Sequence, residues 1–106
     1  MTKFVFAYHG GKTSMTPEEG QEMMAKWVAW VAGLGAAMVA PGHAVGKSVT
    51  VSPTGLADNG GANPISGVSV VEAATLDAAV AMAKACPHIT LAGGSIEIAP
   101  VLDMEM

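Results

Sequence analysis

A chain of 106 residues, 51% apolar and only 13% charged, has the size of a single domain, and so few charges suit its surface only if part of it is buried against a partner. Five lysines and arginines against nine acids, a formal net charge of −4, exclude a phosphate-tracking basic stripe and with it a nucleic-acid partner. The longest apolar helical stretch, residues 23–39, is interrupted by Lys26, Gly33 and Gly35, which excludes a membrane-spanning helix.

The N-terminus alternates like a strand and carries no small-residue cleavage site, so no signal peptide is expected. Cys86 is the single cysteine; it excludes an internal disulfide and fits a reducing, cytoplasmic setting. It reads as a buried residue at a helix end.

Lys3 to His9 has a period of two, with Phe4, Phe6 and Tyr8 on one side and Val5, Ala7 and His9 on the other. A strand apolar on both sides is central or covered twice. After a loop over residues 10–14, Thr16-Pro17-Glu18-Glu19 announces a helix: Thr16 as N-cap, Pro17 at the first position and Glu19 at the capping-box position. The helix runs to about Gly33, with Met23, Trp27, Trp30 or Val31, and Leu34 forming its apolar stripe, and Gly33 and Gly35 stopping it. A second strand is expected over residues 36–40, ended by Pro41-Gly42. A third, Lys47 to Ser52, follows closely enough for an antiparallel hairpin with it.

Residues 53–64 then read as one long, glycine-rich loop, of the length that is usually functional or mobile. Ile65 to Glu72 is the next strand. Thr75 caps a helix from Leu76 to Cys86 with Leu76, Ala79, Val80 and Ala83 on its stripe, and Pro87 ends it. Ser95 to Pro100 is the last strand, with Ile96 and Ile98 inward and Glu97 outward; Pro100 puts it at an edge. Met104 and Met106 read as a frayed tail.

The order is thus βαβ, one extra strand, βαβ in a single domain: an α+β, ferredoxin-like fold with an antiparallel sheet. Right-handed crossovers put both helices on one side. The other, apolar side needs a cover, and a second copy of the chain packed sheet to sheet gives a homodimer, the dimeric α+β barrel.

On its ordered segments the chain resembles the YCII-related family, in the branch called the DGPF domain. The matching stretches are Lys3-Phe-Val-Phe-Ala-Tyr8, Met15-Thr-Pro-Glu-Glu19, Ala32-Gly-Leu-Gly35, Ile65-Ser-Gly-Val-Ser-Val-Val-Glu72, Thr75-Leu-Asp-Ala-Ala78, Ala85-Cys-Pro-His88 and Gly94-Ser-Ile-Glu-Ile-Ala-Pro-Val101. The resemblance implies a ferredoxin-like homodimer with a cleft between its two sheets. Two departures stand out. Asp58-Asn-Gly-Gly-Ala-Asn-Pro64 occupies the region of the Asp-Gly-Pro-Phe signature. The first-helix His and following Asp of some relatives have no counterpart, since the first helix lacks a His and His43 stands where the Asp falls.

Among candidate groups, His9 ends the first strand on the side of Val5 and Ala7; if that side lines the cleft, it is the best-placed general acid or base. A strand-end histidine capped by loop carbonyls is the structural alternative. His43, in the predicted hairpin loop, is the second candidate. Two histidines without a fixed spacing are poor grounds for a metal, and none is expected. Tyr8 and Trp30 are candidate ligand-lining aromatics, Trp27 reads as core, and Asp58 and Glu72 are the carboxylates nearest a cleft mouth. His88 reads as a solvated residue at a helix C-terminus. Gly10-Gly11-Lys12-Thr13 lacks the spacing of a phosphate loop, and no cofactor is expected. The reading is a binder of a small organic molecule, with cofactor-free proton transfer by histidine as its chemistry or, alternatively, a non-catalytic binding or interaction module.

Overall fold

The computed structural model describes residues 1–12 and 14–102, so the reading of Met104 and Met106 as a tail lies outside the described residues. Strand β1 (Thr2–His9) leads to helix α1 (Pro17–Leu34), a single 3-10 turn, and β2 (Met38–Ala44). The short strands β3 (Thr50–Ser52) and β4 (Gly55–Ala57) follow, then β5 (Ile65–Ala73), α2 (Leu76–Lys84), the one-turn helix α3 (Pro87–Thr90) and β6 (Ser95–Pro100). The main sheet has the order β2-β5-β1-β6, antiparallel throughout. This is the α+β, ferredoxin-like arrangement.

The helix starts form as their sequences dictate. Thr16 accepts from the Glu19 amide (3.1 Å) while Glu19 accepts from the Thr16 amide (3.0 Å), which closes the capping box. Lys12 also reaches Glu19, and that hydrogen bond, first among several, holds its carboxyl below the usual range. Thr75 caps α2 in the same way, accepting from the Ala78 amide. At its other end α1 stops on Gly35, whose φ of 56° only glycine adopts readily.

Phe4, Phe6, Tyr8, Val71 and Ser69 point from the sheet into the layer beneath the helices and are buried. Trp30 of α1 and Ala79 and Ala83 of α2 meet them there. Phe6 stacks on Trp30 with ring centres 6.5 Å apart, and the Trp30 indole N–H donates to the Met82 carbonyl at 3.0 Å. Of the α2 stripe, Leu76 is left 51% exposed, because the helix begins beyond the margin of the core.

Among the described residues no helix packs on the other face, which carries Val5 and Ala7 of β1, Val68 and Val70 of β5 and Ala99 of β6. The molecule is only 19 Å through its thinnest dimension, the thickness of a sheet with one helical layer.

Three expectations are corrected. The second strand does not end at Pro41-Gly42 but continues through a bulge to Ala44. As an edge strand it tolerates the proline, and the Ser69 hydroxyl donates to the Pro41 carbonyl at 2.6 Å. Gly42, at φ 74°, brings its backbone so close to β5 that a Cβ would lie 1.7 Å from the Val68 oxygen. The extra strand therefore pairs not with β2 but with β4, from within the stretch expected to be a loop, as a separate hairpin. Finally, α2 ends at Lys84, and Pro87 opens α3 instead of merely closing α2.

Candidate functional site

The C-terminal ends of β1 and β2, the start of α1 and the α3 segment converge around a cavity of about 490 Å³, a size that suits a small organic ligand. It lies between α1 and the sheet, on the helix-covered side. Met15, Met23, Met24 and Trp27 line it from the α1 side, and Tyr8, Ser69 and His88 are among its other lining residues. Met side chains adapt to the shape of an occupant, and Trp27 offers it a flat face.

Tyr8 is held from three sides. Its hydroxyl donates to Ser69 Oγ at 2.9 Å, its ring meets Trp27 edge-on at 5.5 Å and meets His88 edge-on at 5.4 Å. Burial is the main reason its pKa is pushed up to about 12, which the Ser69 hydrogen bond only partly offsets. The phenol is therefore a neutral hydrogen-bonding group at physiological pH.

His88 is 8% exposed and sits in the first turn of α3, not at a solvated helix end. Its Nε2 lies 2.9 Å from the His9 carbonyl, an acceptor only, so the proton is on Nε2 and Nδ1 is the ring's free lone pair in the neutral form. Gly94 and Gly11 make room for the imidazole: a Cβ at Gly94 would lie 2.2 Å from Nε2, and one at Gly11 2.7 Å from Cε1. Gly11 itself lines the cavity. Sequence reasoning missed this residue; glycine pairs at residues 10–11 and 93–94, with Pro87 as a helix opener, were the available signal.

His9 lies on the opposite, bare face. Its Nδ1 donates to the Asn63 carbonyl (2.9 Å) and its Nε2 is 3.0 Å from Glu97 Oε1. With Nδ1 donating to that carbonyl, Nε2 is the ring nitrogen that faces the Glu97 carboxylate. Glu97 faces outward, as read from the sequence, and is 74% exposed.

The remaining candidates scatter. His43 stands in β2 opposite Val68, not in a hairpin loop, and two strand spacings, about 10 Å, separate it from β1; it and His9 are not brought together. It is among the residues that line the cavity. Trp30 is core, walled from the cavity by Trp27 at 5.2 Å. Asp58 is exposed beside Lys47 Nζ at 3.5 Å. Glu72 pairs in register with Lys3 at the other end of β1 from His9. Cys86 is fully buried, and burial raises its thiol pKa to about 11, against a smaller lowering by the His88 amide. Among the described residues no three His, Cys, Asp or Glu side chains cluster as metal ligands, and no helix is long and apolar enough to cross a membrane.

The split βαβ order, the four-stranded antiparallel sheet and helices confined to one side define a ferredoxin-like α+β domain. The YCII-related domain family matches residues 1–105, and the chain belongs to that family. No curated protein matches the chain significantly.

Proposed function

We propose that this YCII-related protein, of the DGPF-like kind, is a homodimer joined through its bare sheet faces, and that each protomer binds a small, largely apolar organic molecule beneath α1 and moves a proton on it through His88. The observation that carries the reading is the cavity itself: about 490 Å³, walled by thioethers and Trp27, with a buried imidazole of fixed tautomer at its edge. In such a pocket Nδ1 takes a proton from an acidic C–H or O–H of the ligand and returns it at another position, which is a cofactor-free isomerisation; where a leaving group departs with its electron pair, the same step is an elimination. The fold itself contributes no argument for the reaction. Sheet-to-sheet pairing leaves the cavity open, because it lies on the other side.

Titrating the protein with benzoate, phenol and indole fragments while following Trp27 emission tests binding, with Trp27→Phe separating its signal from that of Trp30. Saturable quenching is expected, and it disappears in Gly20→Leu, which fills the cavity from a helical position where a Cβ meets nothing within 4 Å. Unchanged Trp27 emission across the panel refutes the reading. His88→Gln keeps a donor for the His9 carbonyl but has no basic lone pair. It should bind normally and lose turnover of any substrate found among the ligands; turnover equal to wild type removes His88 from the chemistry, and a wild type that binds these ligands and converts none of them is a binding module.

A second reading rests on the 3.0 Å His9–Glu97 contact: proton transfer between the two sheets of the dimer. His9→Gln then abolishes turnover, while His88→Gln spares it.

A further inference from the structure

Among the described residues the β3–β4 hairpin pairs only with itself, as a sheet of its own. Val51 stands opposite Leu56, so the two side chains share one face of the hairpin, and Val49 lies just ahead of β3. All three are bare: Val49, Val51 and Leu56 are 56%, 80% and 70% exposed, and Val45 before them is 44% exposed. The arm is nonetheless well built. Thr50 Oγ1 donates to the Asn59 carbonyl at 2.7 Å, the Gly61 amide donates to Asn59 Oδ1 at 2.9 Å, and Gly60 packs so closely on Ser48 and Pro64 that a Cβ there would lie 2.4 Å from Ser48 Oγ. A two-stranded hairpin standing alone in water is marginal, and large apolar side chains gathered on one face mark a contact surface.

The size of the sheet face points to the occupant. Four strands about 4.8 Å apart and about seven residues long make a face of roughly 20 by 23 Å, ~450 Å². A standard interface takes ~800 Å² from each partner. The sheet face alone supplies little more than half of that, and the arm is a further apolar surface that rises from the chain between β2 and β5 of that same sheet.

We infer that the β3–β4 hairpin is a clasp that lays Val49, Val51 and Leu56 on a second copy of this chain, extending the sheet-to-sheet contact around the partner's margin. This rests on the homodimer proposed above. Being reciprocal, the clasp acts twice in each dimer, and one substitution is felt at two places.

Sedimentation equilibrium of wild type and of the Val51→Asp/Leu56→Asp variant tests it, with circular dichroism to confirm that the fold is kept. A dimer weakened about tenfold or more by the variant is expected, equivalent to a loss of about 1.4 kcal/mol or more. In parallel, a photoreactive group on Val51→Cys, in mixed light and heavy isotope-labelled protomers, should give mixed-isotope cross-links. A wild type that stays monomeric at high concentration overturns the dimer and the clasp together. A wild-type dimer that the double variant leaves equally tight, with cross-links only within one copy, overturns the clasp and leaves the dimer standing.

Discussion

Replacing Ser69 by alanine removes one hydroxyl on which two partners depend. Ser69 is 2% exposed; its Oγ accepts from the Tyr8 hydroxyl at 2.9 Å and donates to the Pro41 carbonyl at 2.6 Å. An orphaned buried polar group costs about 1–3 kcal/mol. Here both orphans border the cavity, where water reaches them, so each falls at the low end and Ser69→Ala should cost about 2 kcal/mol in all. Tyr8→Phe removes only the first contact and leaves Ser69 bonded to Pro41, so its cost is about 1 kcal/mol. Tyr8→Phe made on top of Ser69→Ala deletes a hydroxyl that has already lost its partner, and the two losses should fall short of additivity by about 1 kcal/mol. Urea unfolding of the four proteins at one protomer concentration measures the cycle; in heat, a domain this size loses about 4–8 °C per kcal/mol. A Ser69→Ala loss under about 0.5 kcal/mol, or strictly additive losses, refutes the view that this chain of hydroxyls pins the β2 bulge to β5.

Gly20→Ala should stabilise the protein by up to about 1 kcal/mol in urea unfolding, since Gly20 lies within α1 and a Cβ there meets nothing. Gly42→Ala should cost about 3 kcal/mol or more, or prevent folding, because the new Cβ meets the Val68 carbonyl at a positive φ. Tyr8 and Cys86 have raised folded pKa values, about 12 and about 11, against ordinary values of 10.0 and 9.0. The stability each contributes is complete below its ordinary value and is lost as pH climbs through the folded one. The unfolding free energy from urea titrations should therefore decline above about pH 9, by up to about 1.4 kcal/mol per pH unit for each group, and a free energy that stays flat up to pH 11 contradicts this. At pH 8 a disulfide reagent should label Cys86 only as fast as the chain unfolds, because the thiol is buried.

Much of the architecture was legible because it rests on local chemistry. The Thr16-Pro17-Glu18-Glu19 cap, the α1 stripe and the alternation of β1 each need only a few neighbouring residues, and all three stand as read. What escaped was decided by contacts across the sheet. Nothing near Pro41 announces that a serine 28 positions away caps its carbonyl, so the strand reads as ended where it only bulges. The burial of His88 depends on a carbonyl 79 positions away, and no periodicity carries that information. The cavity was illegible for the same reason: it arises where α1 stands off the sheet beside Tyr8 and Ser69, a gap that follows from packing and leaves no pattern in the chain. His9 was placed at the end of β1 and Glu97 outward, and both stand there, but their contact across β1 and β6 was not read.

Both borders of the sheet carry a proline, Pro41 in the bulged β2 and Pro100 at the end of β6. A stray strand approaching from either flank meets an interrupted row of amide donors. A chain so rich in greasy side chains is thereby steered away from ribbon-like growth along either edge of its sheet.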